Sequence, residues 1–219
     1  MHKEVVITED GSHTLRVAEI DECYHSTHGA VQESAHIFIK DGFRESLLGG
    51  KRRLRVLEIG FGTGLNAFLT LLEAENINVH YTTLELYPLV ADEALRLNYP
   101  EALNGDRGLF EAIHCSSWGE ENDISPRFTL HKINADFTEH ELSGMYDVIY
   151  FDAFSPEKQP EMWSEECFRK IYEHSNNGAI LTTYCAKGVV RRAMQAAGFV
   201  VERLPGPPGK REILRARKP

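Results

Sequence analysis

The sequence predicts an α/β fold built on a mostly parallel sheet with helices on both faces. Two observations carry this. The first is the stretch Val56-Leu57-Glu58-Ile59-Gly60-Phe61-Gly62-Thr63-Gly64-Leu65-Asn66. An apolar run feeds three glycines at alternate positions, and Leu65, Phe68, Leu69 and Leu72 then fall at helical spacing, so a buried strand turns into a helix there. The second is that strand and helix patterns alternate from residue 54 onward, as parallel sheets covered on both faces require.

The elements follow in order. Val5-Val6-Ile7 and Leu15-Arg16-Val17 flank Asp10-Gly11, a turn-forming pair, and predict a β-hairpin over residues 3–20. A helix is expected from Ala30 to about Ile39, and Gly49-Gly50 ends this N-terminal part. Residues 1–50 thus form an extension of hairpin plus helix, and 51–219 the main domain. Within that domain, 53–59 is the first strand and 65–75 its helix. Residues 79–85 are the second strand, with a helix near 88–97. Residues 100–127 are less regular and read as an insertion with some helix. Residues 128–134 and 146–151 are the third and fourth strands, the fourth almost wholly apolar and therefore central. A helix over 161–174 precedes the turn Asn176-Asn177-Gly178 and a fifth strand over 179–184. Residues 188–197 form a last helix, closed by Gly198. Residues 199–203 and 212–216 form a terminal hairpin.

A chain of 219 residues fits one domain with an embellishment. With 42% hydrophobic and 26% charged residues it is not a disordered sequence. No apolar run approaches the ~18 residues of a membrane span, and Met1-His2-Lys3-Glu4 is not followed by a signal-peptide core. Cys23, Cys115, Cys167 and Cys185 are scattered without a C-x-x-C pair, which points to reduced thiols, a cytoplasmic protein and no metal site. His25, His28 and His36 match no ligand spacing either. Net charge is −9, yet residues 187–219 hold nine Lys/Arg against Glu202 and Glu212, leaving −16 on the remaining 186 residues. A second basic cluster, Lys51-Arg52-Arg53 with Arg55, precedes the first core strand. Basic patches on an acidic body can place a polyanion, and they can equally be solvated surface.

The glycine spacing decides what the turn binds. A dinucleotide fingerprint from Gly60 and Gly62 would need glycine at 65, which is Leu65. The third glycine is Gly64, and Glu58 stands two residues before the first. This E-x-G-x-G-x-G pattern resembles motif I of class I S-adenosylmethionine-dependent methyltransferases. The resemblance implies a Rossmann-like sheet of seven strands, five parallel plus the terminal hairpin. It also implies that Glu58, Gly60, Gly62 and Gly64 cradle the methionine and ribose part of the cofactor.

Ligands of such sheets sit at the carboxyl ends of the strands. Glu85 ends the second strand, where an acid can accept both hydroxyls of a ribose through bonds of ~1.5–3 kcal/mol each. Asp136 follows the third strand. It is placed either to accept from the adenine amino group or to cap a helix. Asp152 leaves the apolar fourth strand, where an acid beside a cationic sulfonium can hold a nucleophilic nitrogen in line with the methyl and take up its charge. A structural cap is the alternative. Tyr24, Phe154 and Trp163 can stack on a base or belong to the core. Cys185 ends the fifth strand and reads as a buried thiol.

The segment Phe151-Asp152-Ala153-Phe154-Ser155-Pro156, continuing through Lys158, Pro160, Met162 and Trp163, resembles the motif of the MnmC methyltransferase domain family. Asp21-Glu22-Cys23-Tyr24-His25-Ser26 and Gly29-Ala30-Val31-Gln32-Glu33-Ser34 resemble that family's N-terminal segment, which borders the cofactor and so implicates Tyr24, Ser26 and Glu33. Residues 188–199 and Gly209-Lys210-Arg211-Glu212 resemble its penultimate helix and last turn. The resemblance implies S-adenosylmethionine as donor and the 5-aminomethyl group of (2-thio)uridine at the tRNA wobble position as acceptor. It makes Asp152 the acid that contacts the acceptor amine, and Lys158, Arg191, Lys210 and Arg211 phosphate contacts. The family's best-known form is fused to a flavin-dependent oxidase. This sequence has no FAD fingerprint, so methyl transfer alone is expected, with the aminomethyl substrate supplied by a separate FAD-dependent oxidase or another route. A methyltransferase of a small-molecule or protein amine and a non-catalytic cofactor-binding protein are the competing readings.

Overall fold

The central strands set the architecture, and their pleat divides the interior in two. The computed structural model describes residues 3–219. Strand β4 (Arg53–Ile59) pairs in parallel with β5 (Asn78–Glu85) on one side and β8 (Tyr146–Phe151) on the other. The sheet extends through β7 (Phe128–Asn134) and β9 (Ser175–Thr183), giving five parallel strands. Antiparallel neighbours close both edges. The terminal hairpin β10 (Val200–Pro205) and β11 (Glu212–Arg217) lies beside β9, and β6 (Glu121–Ser125) lies beside β7, in the order β10-β11-β9-β8-β4-β5-β7-β6. The sheet therefore has eight strands, one more than expected. The extra one is β6, from the segment read as an insertion. Its residues alternate too weakly in hydrophobicity to announce an edge strand.

Successive side chains of a strand point to opposite faces. Leu54, Val56, Tyr81, Val148 and Tyr150 therefore enter one core cluster, while Leu57, Ile59, Ile149 and Phe151 enter the other. Helix α1 (residues 30–47) covers the first face together with α2 (Leu65–Glu73) and α5 (Arg107–Cys115). Helices α6 (Glu165–Glu173) and α7 (Gly188–Ala196) cover the second. All six residues of β8 are buried, as its apolar run predicts.

Helix α1 is longer than the sequence pattern suggests. It starts as an α-helix over Ala30–Ser34, continues as a π-helix over Ala35–Arg44 and ends with an α-turn over Glu45–Leu47. Gly42, beyond the expected end at about Ile39, is a contact point on the sheet. A Cβ there would sit 3.0 Å from Thr182 Oγ1 and 3.4 Å from the Tyr150 ring, so glycine lets the helix lie directly on the sheet. Before α1, β1 (Lys3–Ile7), β2 (His13–Val17) and β3 (Glu22–Cys23) form a small antiparallel sheet, the first two joined in the expected hairpin.

Three boundaries differ from expectation. Between β5 and α5 there are only two short helical turns, α3 (Ala91–Ala94) and α4 (Tyr99–Ala102), the second with Pro100 in its first turn. The expected helix over 161–174 is a 3₁₀ turn at Pro160–Trp163 followed by α6, because Ser164 caps a new helix by accepting from Cys167 N at 3.2 Å. Asn176-Asn177-Gly178 lies inside β9 at a register irregularity, not in a turn before it. Asn176 Nδ2 is tied there to Asp147 Oδ1 at 3.0 Å. No helix among the described residues is long and apolar enough to cross a membrane.

Candidate active site

The carboxyl ends of β4, β5, β7, β8 and β9 open into a cavity of about 460 Å³, within the ~300–1,000 Å³ range of small-molecule sites. Its floor is the glycine turn. Gly60, Gly62 and Gly64 have φ of +93°, +49° and +71°, the left-handed region that glycine alone adopts without cost. Space forbids a side chain as firmly as the backbone does. A Cβ at Gly60 would lie 2.6 Å from the Asp152 carbonyl oxygen, at Gly62 2.8 Å from the Tyr24 ring, and at Gly64 2.8 Å from His114 Nε2. Gly60 and Gly62 line the cavity, while Gly64 supports the turn from behind and starts α2.

Glu85 closes one side. Its Oε2 accepts from Gly62 N at 3.0 Å and its Oε1 from Tyr87 N at 2.9 Å. Each oxygen keeps a lone pair for a ligand hydroxyl, so one residue both shapes the glycine turn and faces the cavity. Asp136 lies further along the rim. Its Oδ1 caps residue 138, accepting from Thr138 N at 2.8 Å and Thr138 Oγ1 at 2.7 Å. Among the described residues no helix follows Asp136 before β8, so these bonds tie a turn and the helix cap expected as the alternative is not formed. The glycine cradle with these two acids fits S-adenosylmethionine: small residues where a ligand can approach the backbone, and carboxylates able to accept from hydroxyl and amino donors.

The opposite half of the cavity is built from side chains of distant segments. Asp152 leaves β8 with its N–H donated to Ile59 O at 2.9 Å, and its Oδ2 accepts from Asn66 Nδ2 at 2.8 Å. Glu33, in the first turn of α1, accepts from Ser26 N at 2.8 Å through Oε2 and pairs through Oε1 with Lys210 Nζ at 3.2 Å. The Lys210 ammonium lies 4.9 Å from the centre of the Tyr184 ring, and Tyr184 donates from its hydroxyl to Ala153 O at 2.9 Å. Tyr24 and Phe154 meet edge to face at 5.2 Å. Burial raises the proton affinity of Asp152, and the neighbouring Glu33 adds to this; Asn66 and Lys210 oppose it, and its pKa is pushed up to about 7. A carboxyl with that value takes or gives a proton near neutrality.

Of the residues singled out from sequence, Tyr24, Ser26, Glu33, Gly60, Gly62, Glu85, Asp136, Asp152, Phe154, Lys158 and Lys210 line this cavity. Several do not. Glu58 is fully buried, because the pleat sends it to the same face as Val56 and away from the cavity. Trp163 is 4% exposed and works as a prop. Its ring packs on Phe151 and Tyr184, and its Nε1 donates to Phe154 O at 2.8 Å, fixing the loop that carries Phe154. Arg191 is part-buried on α7 and Arg211 is exposed beside Lys210; neither lines the cavity. Lys210, expected at a phosphate, points inward to Glu33. The cluster Lys51 to Arg55 lies at the start of β4, the far end of the sheet, with Lys51 paired to Asp147 at 2.7 Å.

Asn66, Tyr184 and Glu22 were not foreseen as site residues. Asn66 is the one polar side chain in the apolar first turn of α2, a signal available in the sequence. Glu22 holds the loop after β8, accepting from Ser155 N at 3.4 Å and Ser155 Oγ at 3.3 Å. Tyr184 gives no sequence signal beyond its place at a strand end. His25 is buried, with Nε2 2.6 Å from Thr63 Oγ1, and burial lowers its pKa to about 4, so it is neutral. No group of three or more His, Cys, Asp or Glu side chains suited to a metal occurs among the described residues.

Comparison with known proteins agrees with this geometry. A family model described as S-adenosyl-L-methionine-dependent methyltransferase matches residues 116–219. The tRNA 5-methylaminomethyl-2-thiouridine biosynthesis bifunctional protein MnmC of Cupriavidus metallidurans is 29% identical over 238 residues, covering 98% of this chain and 34% of that protein. The protein of the same name from Pseudomonas syringae pv. tomato is 33% identical, covering 91% and 32%. The chain thus spans about a third of the length of these curated relatives. The crystal structure of MNMC2 from Aquifex aeolicus superposes with a TM-score of 0.80 at 26% identity, over 100% of this chain and 72% of that one.

Proposed function

We propose that this chain, an S-adenosyl-L-methionine-dependent methyltransferase domain of the MnmC kind, methylates the 5-aminomethyl group of (2-thio)uridine at the tRNA wobble position, giving 5-methylaminomethyl-(2-thio)uridine. S-adenosylmethionine supplies an activated methyl group when bound. Gly60 and Gly62 hold its backbone-facing part, Glu85 accepts from the ribose and Asp136 from the adenine amino group, with Tyr24, Ser26 and Glu33 bordering it. The observation that carries the reading is Asp152, a carboxyl poised near neutrality, fixed by Asn66 and placed where the glycine turn meets the aromatic pocket of Tyr24, Phe154 and Tyr184. As an anion it accepts hydrogen bonds from a primary amine, orients its lone pair and takes up positive charge as the amine becomes an ammonium. Phe154 offers a face to the uracil ring. Lys158, exposed and bordering the cavity, and Arg211, also exposed, are offered to flanking phosphates in this reading. In this reading residues 1–50 wall the cofactor of the 51–219 domain, and FAD-dependent oxidase chemistry or another route makes the aminomethyl acceptor beforehand.

The test is mass spectrometry of wobble nucleosides after incubation with labelled donor and tRNA lacking the final methyl. Label in 5-methylaminomethyluridine is the expected result, and none in any nucleoside refutes the reading. A net charge of −9 favours instead a small-molecule or protein amine. Titration with tRNA across salt separates the two, since phosphate contacts give a steep slope.

A further inference from the structure

Beneath the cavity lies a polar cluster that the proposed reaction does not use. Glu58 is 0% exposed, and neither of its carboxyl oxygens has a partner in hydrogen-bonding geometry among the described residues. The Tyr81 hydroxyl, the Thr83 hydroxyl and Asn66 Oδ1 are also buried without a partner. These groups converge on Glu58 from β5, whose Thr83 is its register partner, and from the first turn of α2. None of the groups acting on Glu58 is a cation: they are Thr83, Asp152, Asn66 and Tyr81. An unpaired anion in such a place costs many kcal/mol, so a carboxyl there keeps its proton. Burial accordingly raises its proton affinity well above the carboxylate range, with Asp152 adding to the effect and the polar side chains of Thr83, Asn66 and Tyr81 opposing it.

A neutral carboxyl is a donor and needs an acceptor. Hydroxyls can serve either way, but Asn66 Oδ1 only accepts, and it is unpaired. The other end of the same amide, Nδ2, already donates to Asp152 Oδ2 at 2.8 Å. We infer that Glu58 donates its carboxyl proton to Asn66 Oδ1 and so locks the amide with its NH₂ toward Asp152, making Glu58 a positioning residue for the acceptor half of the cavity. The acid of the glycine motif thus acts on the far side of the site, through the first turn of α2. The role of Asp152 in methyl transfer rests on the function proposed above; the coupling of Glu58 to Asp152 does not.

The test is therefore a substrate-free carboxyl ¹³C titration of the full chain, with Asp152 assigned by Asp152→Asn. The groups facing Asp152 are Glu33 from α1, Lys210 from the loop before β11, Tyr184 after β9, Tyr81 from β5 and Asn66 from α2; those facing Glu58 are Tyr81 from β5, Tyr150 from β8 and Asp152 itself. The parent should show Glu58 still protonated where exposed carboxyls have ionised. Glu58→Gln, neutral and still a donor, should leave the Asp152 midpoint in place. Glu58→Leu and Asn66→Ala should each raise it by about half a unit or more, since both remove the bond that favours the anion, and the double variant should add nothing further. A midpoint lowered by Glu58→Gln would mean that Glu58 is an anion, and additive shifts would mean that the two act separately. Either overturns the inference, whatever the acceptor proves to be. Glu58→Gln conserves shape and keeps the test open if Glu58→Leu does not fold.

Discussion

The two halves of the cavity are made of different materials. The cofactor half is backbone: three glycines in left-handed conformations, packed so closely that a Cβ at any of them meets an atom within 2.8 Å, and an acid, Glu85, spent partly on holding the turn. The acceptor half is side chains: Asp152, Glu33, Lys210 and Tyr184, brought from β8, α1, the last loop and the end of β9. The first half is defined by sterics, which pH does not alter. The second is defined by charge, and its central group titrates near neutrality. In the proposed function, recognition of a constant ligand and chemistry on a changing one are thereby separated within one cavity.

Breaking the charged half gives the largest effect. Asp152→Ala should lower methyl transfer by about 10²–10⁴-fold while donor affinity, measured by calorimetry, stays within about twofold. Breaking the steric half should instead cost stability. Gly60→Ala combines a φ of +93° with a contact at 2.6 Å to the Asp152 carbonyl, and should lose roughly 2–4 kcal/mol in denaturant unfolding. Glu85→Ala lies between the two. It should weaken S-adenosylmethionine by about 10–100-fold, from ~1.5–3 kcal/mol of lost hydrogen bonding, with Asp152-dependent steps unchanged once donor is saturating. The pH profile sharpens the contrast with the smallest effect. Methyl transfer at saturating donor should rise with pH through about 7 as Asp152 ionises. Lys210→Met, which removes a cation, should move that rise to higher pH, and Glu33→Gln to lower. A profile that does not shift in either variant places the controlling group elsewhere. Folding is linked with a definite sign. The folded state holds the Asp152 proton more tightly than the unfolded chain does. Its contribution to stability is therefore full below pH 3.8 and is lost as pH rises to about 7.

Much of this was legible in the sequence, and for stated reasons. The glycine turn, the parallel strands and the position of Asp152 follow from local periodicity and from the rule that such sheets bind at their carboxyl ends. Glu58 misled because adjacency to the glycines suggested contact with the ligand. The strand's period of two, which pairs it with Val56, sends it into the interior instead. Trp163 and Lys210 exchanged roles for a tertiary reason. An aromatic residue at a loop end was drawn into the core by Phe151 and Tyr184, and a surface lysine was drawn inward by Glu33 across nearly the whole chain. Strand β6 was hidden because one edge strand with a single neighbour needs little hydrophobic pattern.

The seat of α1 on the sheet also bears on how this chain can be cut. Ile37, Phe38 and Phe43 are each at most 1% exposed and share a cluster with Val56 and Phe68 of the main domain. At ~1.5–3 kcal/mol per buried side chain, these three alone contribute on the order of the whole stability of a typical domain. The first fifty residues are therefore not a detachable module, although the sequence divides naturally at Gly49-Gly50. A clone begun at Lys51 would lack one wall of its own interior, and the smallest unit of this fold that can be expressed includes the hairpin, α1 and the sheet together.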